Sequence, residues 1–103
     1  MLFIGGTLNL MKISFDPAKR AWTLRERGLD FRDSARVFEG EHFDRPDERH
    51  DYREKRIVTA GELDGRLVVI VWTPRGPARH IISMRHCHEK ETTLWRKHIG
   101  RSG

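Results

Sequence analysis

RLVVIVWT, residues 66–73, is apolar at every position across residues 67–72. Such a run lacks the alternation of a strand with one wet face. It predicts a strand covered on both faces and therefore central in a sheet. Turn signals bracket it: ELDG (62–65) before, with the Asp64-Gly65 pair, and PRGP (74–77) after. Beyond these lie two further strand signals, KRIVTAG (55–61) and ARHIISMR (78–85). Alternation along the latter puts Arg79, Ile81, Ser83 and Arg85 on one side and His80, Ile82 and Met84 on the other.

The N-terminal half adds helices to this sheet. KISFDP (12–17) predicts a short strand with Ile13 and Phe15 on one face, ended by Asp16, which caps a helix opening on Pro17. That helix carries Ala18, Ala21, Trp22 and Arg25 at helical spacing and stops at Gly28. A second follows at once, with Asp30 as N-cap, Asp33 in the first turn, and Phe31, Ala35 and Phe38 on one stripe before Gly40. The charged segment 39–54 contains Pro46 and reads as a loop with an edge strand at residues 41–43. Near the C-terminus Leu94, Trp95 and Ile99 share the stripe of a last helix. The expected class is α+β: an N-terminal strand and helical hairpin, an antiparallel-rich sheet of about four strands, and a C-terminal helix. One domain is expected at residues 12–99, with 1–11 an upstream extension, since Met11 could itself start translation, and 100–103 a tail.

Composition narrows the partners. The 103 residues, 37% of them hydrophobic, suffice for one modest core. Twenty Lys and Arg against fifteen Asp and Glu give a net charge of +5, which favours a polyanionic partner. A single cysteine forms no internal disulfide and fits a reducing cytoplasm. The apolar N-terminal stretch is too short to span a bilayer, so no membrane partner is expected.

The histidines around the lone cysteine, His86-Cys87-His88, invite a metal or nucleophile reading. Adjacent residues seldom aim at one ion, and a third ligand would have to come from His42, His50, His80 or an acid at no recognisable ligand spacing. No metal and no cofactor are expected. A nucleophilic cysteine needs an imidazole brought to it from elsewhere in the fold, so Cys87 is expected to pack, while His86 and His88 remain candidate proton donors or substrate contacts.

A second constellation carries more chemistry: Glu54-x-Arg56 entering one strand, Arg75 after the central strand, and Arg79, Ser83 and Arg85 along the last. Guanidinium groups on one sheet face would clamp phosphate. Metal-free RNA cleavage, in which the ribose 2′-OH attacks the adjacent phosphate, needs cationic donors, a base and an acid. Arginines fit the first role, Glu54 the second and a histidine the third. The same pattern also fits solvated edge charges and internal ion pairs.

ISFDPAKRAWTLRERGLDFRDSARVFEG (13–40), DYREKRIVTAGELDGRLVVIVWT (51–73) and RHIISMRHCHEKE (79–91) together resemble the BrnT toxins of type II toxin–antitoxin systems. The matching features are the Asp-Pro-x-Lys helix, the Gly turn before the second helix, Tyr52, Glu54, Arg56, Gly61, the Gly65-Arg66 hairpin, and a strand similar to the family's RIISAR. Thr23, Arg27 and Met84 depart from the family's usual Asn, His and small residue. The resemblance implies a RelE-like fold, metal-independent endoribonuclease activity on RNA, and neutralisation by a cognate BrnA-type antitoxin through which alone promoter DNA is reached. It also implies that Glu54, Arg56, Ser83 and Arg85 form the catalytic set and, by a weaker match, that Arg75 and Arg79 bind substrate; His86 and His88, expected as substrate contacts from their place beside Arg85, have no firm family counterpart. The alternatives are a non-catalytic basic RNA- or DNA-binding module and a structural partner subunit.

Overall fold

A computed structural model describes residues 12–49 and 53–102, with side chains of the last helix described as far as Lys97. The expected extension 1–11, His50, Tyr52 and the side chain of Ile99 lie outside the described residues. The elements are β1 (Lys12–Phe15), α1 (Pro17–Arg27), a 3-10 turn (Phe31–Asp33), α2 (Ser34–Glu39), β2 (His42–Pro46), β3 (Ile57–Leu63), β4 (Arg66–Arg75), β5 (Ala78–His86) and α3 (Glu89–Ser102). No helix among the described residues is long and apolar enough to cross a membrane.

The strands form one five-stranded sheet in the order β1-β5-β4-β3-β2. β4 is central, as its uninterrupted apolar run predicts. The α+β class holds, but the sheet is mixed and has five strands instead of about four. β1 runs parallel to β5, with Ser14 opposite His80, while the remaining pairs are antiparallel. β2 spans His42–Pro46, longer than the expected edge strand, and pairs with β3 from His42↔Gly61 to Pro46↔Ile57. The parallel pair needs a long connection, which the helical segment and the three intervening strands supply.

Both central hairpins close with two-residue turns. Asp64 and Gly65 adopt φ of 51° and 80°, and Gly76 adopts 56° ahead of Pro77. Left-handed backbone here matches the twist of the flanking strands, which explains the Asp-Gly and Gly-Pro pairs.

The sheet has an inner face, under the helical hairpin, and an outer face. Val68, Ile70 and Trp72 of β4 join Phe31, Val37, Phe38, Ile81 and Met84 in the inner core, while Val69 and Val71 join Val58 on the outer face. Burying a side chain such as Ile70 or Phe31, both fully enclosed, stabilises the fold by roughly 1.5–3 kcal/mol.

Regular alternation fails in β5. Val71 lies opposite Ser83 but Trp72 lies opposite Ile81, so Ile82 is an extra residue in a β-bulge. The bulge lets Ile81 and Met84 both point into the inner core although three positions separate them, and Ile82 packs with the outer valines. Arg79, Ile81, Ser83 and Arg85 therefore do not share one side. Arg79 and Ile81 face inward; Ser83, opposite Val71, and Arg85, opposite Val69, face outward.

The first helix also differs from expectation. Ala18, Ala21, Trp22 and Arg25 are exposed, and Thr23 is the buried residue. Polar ties hold α1 in place. Arg20 donates two 2.8 Å hydrogen bonds to Asp30, and Arg27 donates one of 3.0 Å to the Met84 carbonyl. Asp16 caps the start and Gly28, at φ 69°, closes the end. Asp30 caps the 3-10 turn, not the second helix directly, and the inward residues become Phe31, Ser34, Val37 and Phe38, with Ala35 left half-buried.

Gly61 sits where α2 meets the sheet. A Cβ there would lie 2.6 Å from Val37 Cγ1 and 3.3 Å from His42 Cβ. Val37 is fully buried and has no room to retreat. Gly61→Ala is expected to destabilise the fold by about 1–3 kcal/mol, and Val37→Ala should recover part of that loss. Urea unfolding of the single and double variants measures this; equal midpoints for wild type and Gly61→Ala would contradict the close packing.

Candidate functional site

The outer face gathers most of the singled-out residues. At one end, Glu54 lies between two cations, its carboxylate 3.6 Å from Arg56 Nε and 3.7 Å from an Arg75 guanidinium nitrogen. Backbone contacts hold the segment that carries Glu54 and Arg56. Thr73 donates its hydroxyl to the Lys55 carbonyl at 2.6 Å, and the Asp47 amide donates to the Arg56 carbonyl at 2.9 Å. Thr73 is buried, so this anchor is shielded from water.

His80 stands beside this cluster, opposite Thr73 on one flank and Ser14 on the other. Its Nδ1 and Ser14 Oγ are 2.9 Å apart. Burial and then Arg75 push its pKa below the ordinary value, with Lys19 adding to them and Glu54 and Asp16 opposing them. Sequence reading considered His80 only as a metal ligand. The missed signal was the parallel pairing of β1 with β5, which places residues distant in the chain side by side.

Arg85 lies further along the same face. Its guanidinium donates two 2.8 Å hydrogen bonds to the Glu91 carboxylate and one of 3.1 Å to the His86 carbonyl. Glu91 also accepts from the His88 amide at 2.7 Å, closing the first turn of α3 as the acidic half of a capping box. The Arg85 bonds hold the Glu91 pKa down to about 2. The RHCHE segment is thus the hinge from β5 into α3, fastened by one ion pair.

The remaining residues divide. Arg79 is on the inner face, its guanidinium carbon 4.1 Å from the Phe38 ring centre and 4.9 Å from that of Trp72. Burial lowers its pKa, and Asp44 acts in the opposite sense. Cation–π contact and enclosure make it part of the packing between α2 and β4. His86 lies opposite Val68, its Nδ1 buried without a hydrogen-bond partner, and burial followed by Arg66 lowers its pKa. His88 is exposed. Cys87 packs beside the outer valine cluster, and burial raises its pKa. Among the described residues no three His, Cys, Asp or Glu side chains come together to hold a metal ion.

The structure brings Glu54, Arg56 and Arg75 together, and it does not bring Arg85 to them. Arg75 and Val69, the partner of Arg85, are separated along β4 by about 20 Å of strand. Two stations on one face suit an extended anion better than one phosphate gripped by every arginine. Ser83 lies between them.

The family model described as ribonuclease toxin, BrnT, of type II toxin–antitoxin system matches residues 15–91 of the chain. No curated protein matches it.

Two bidentate ion pairs set an acid limit. The Arg20 bonds hold Asp30 down to about 2, as those of Arg85 hold Glu91. Each depressed carboxyl contributes stability that is complete above its ordinary value, 3.8 for Asp30 and 4.5 for Glu91, and is lost as pH falls through about 2. Urea stability should therefore decline between pH 4.5 and 2, and Asp30→Asn and Glu91→Gln should each make that decline shallower while lowering stability at neutral pH. An unaltered slope in both variants would contradict these assignments.

Proposed function

The chain belongs to the BrnT family of ribonuclease toxins of type II toxin–antitoxin systems, and from that membership we propose that it is a metal-independent endoribonuclease whose reaction centre is the Glu54–Arg56–Arg75 cluster. The family implies an RNA substrate and an antitoxin partner. We read the fold as RelE-like, the partner as a BrnA-type antitoxin that alone reaches promoter DNA, the compartment as the cytoplasm, and residues 12–99 as the working domain.

The observation that carries this reading is one carboxylate within 3.7 Å of two guanidinium groups on a sheet face. Glu54 takes the proton of the ribose 2′-OH as that oxygen attacks phosphorus. Arg56 and Arg75 stabilise the charge that develops on the phosphoryl oxygens. Two fixed cations supply stabilisation of the kind a metal ion provides elsewhere. Ser83 and Arg85 extend the face along the RNA backbone, where Arg85, held in place by Glu91, meets a further phosphate. Arg79, on the inner face, keeps a packing role. The net charge of +5 supports association with RNA, and an antitoxin segment covering the arginines would block it.

A defined RNA incubated with the protein in EDTA should yield 2′,3′-cyclic phosphate ends. Arg56→Ala is expected to lower kcat by at least about tenfold, the effect of removing one charge-assisted contact to the transition state. Arg85→Ala, and more mildly Arg85→Lys, should act chiefly on KM. RNA bound tightly by the wild type and left uncut would favour the non-catalytic binding module instead.

A further inference from the structure

The proposed reaction lacks one participant: a group that protonates the departing 5′-oxygen. Sequence reading offered His86 and His88 for this task. Both lie beyond Arg85, at the α3 end of β5 and on the far side of the bulge from the Glu54 cluster. His42 is against the Phe38 ring, ring centres 5.8 Å apart, on the inner face. Among the described histidines, His80 is the one that shares the outer face and the strand end with Glu54 and Arg75.

Building on the ribonuclease reading, we infer that His80, oriented by Ser14, is the general acid of the reaction. β1 and β5 run parallel, and their register sets Ser14 directly beside His80. The 2.9 Å contact occupies Nδ1. Nε2 has no hydrogen-bond partner among the described residues and is left for the substrate. In the imidazolium form Nδ1–H donates to Ser14 Oγ, which fixes the ring and the tautomer that remains after the Nε2 proton has gone. The 2′-oxygen forms its bond to phosphorus and its proton passes to Glu54. The bond from phosphorus to the 5′-oxygen breaks, and that oxygen takes the proton from His80 Nε2. No electrons are exchanged with any other reagent.

The surrounding charges suit an acid that is armed by its substrate. Arg75 of β4 and Lys19 of α1 disfavour the imidazolium, while Glu54 and Asp16 favour it. A bound phosphodiester adds negative charge beside the ring and neutralises part of the cationic influence. The alkaline limb of kcat, which reports the enzyme–substrate complex, is thus expected at higher pH than the alkaline limb of kcat/KM, which reports the free enzyme.

The test uses the full chain and two RNAs identical but for the scissile linkage, one ordinary and one with sulfur in place of the bridging 5′-oxygen. A thiolate leaves without needing a proton. His80→Gln should reduce cleavage of the ordinary RNA by about a hundredfold or more, cut the sulfur-bridged RNA nearly as fast as wild type, bind RNA with unchanged affinity and lose the alkaline limb. Equal impairment on both RNAs, or an unimpaired ordinary reaction, would overturn the assignment. Should His80→Gln fail to fold, Ser14→Ala decides. Loss of the hydroxyl that accepts from the imidazolium should move the alkaline limb to lower pH, and an unmoved limb would overturn the assignment. A wild type that cuts neither RNA removes the ribonuclease reading itself, whereas an active wild type with a normal His80→Gln removes only the role of His80.

Discussion

β4 has to be kept dry on both faces, and most of the architecture follows from that constraint. Val68, Ile70 and Trp72 on one side and Val69 and Val71 on the other are all buried. One helical layer cannot cover them. The hairpin of α1 and α2 closes the inner side, with Phe31, Val37 and Phe38 supplying the contacts. The outer side is covered only in part, by its own valine cluster and by Trp95 of α3. Among the described residues the valine centre of that face is buried and its charged ends are the more exposed, and those ends are where the candidate chemistry lies.

The bulge at Ile82 decides which residues reach that surface. Without it, Arg79 and Arg85 would lie on one side of β5, and Met84 would oppose Ile81. With it, the strand keeps Ile81 and Met84 in the core, seals Arg79 against Phe38 and Trp72, and turns Ser83 and Arg85 outward. One additional residue therefore separates a packing arginine from a surface arginine in a sequence where the two look equivalent. Bulges commonly re-aim side chains beside functional sites, and here the effect is to sort two cations between the inner and the outer face of the sheet.

What could be read from the sequence was what local rules govern. The turns at Asp64-Gly65 and Gly76, the caps at Asp16 and Gly28, and the central place of β4 each follow from a few adjacent residues, and each is found. The misreadings share a non-local origin. Nothing near Ile82 in the chain announces a bulge, because its cause is the fit of β5 to β4. The buried side of α1 is set by Arg20 reaching Asp30 and Arg27 reaching the Met84 carbonyl, so a polar stripe wins over Ala18, Ala21 and Trp22. Thr23 and Arg27, two of the departures from the usual family pattern, are on that buried and tethering side. Glu54 and Arg75 were read as partners of one site, and they do meet. His80 was passed over because only the pairing of the first strand with the last reveals its neighbour Ser14.

Two outer-face carboxylates could compete for the role of base, and their surroundings separate them. Glu91 accepts three hydrogen bonds, two from Arg85 and one from the His88 amide, all between 2.7 and 2.8 Å. Those donors stabilise the anion so strongly that its pKa falls to about 2, and a carboxylate so satisfied has little affinity for a further proton. Its work is mechanical: it fastens α3 to the end of β5. Glu54 meets its two guanidinium neighbours at 3.6 and 3.7 Å, beyond direct hydrogen bonding, and keeps oxygen lone pairs for an incoming hydroxyl. The same pairing of arginine with glutamate is thus a latch where it is tight and the proposed reaction centre where it is loose. The distinction rests on about 0.8 Å of separation.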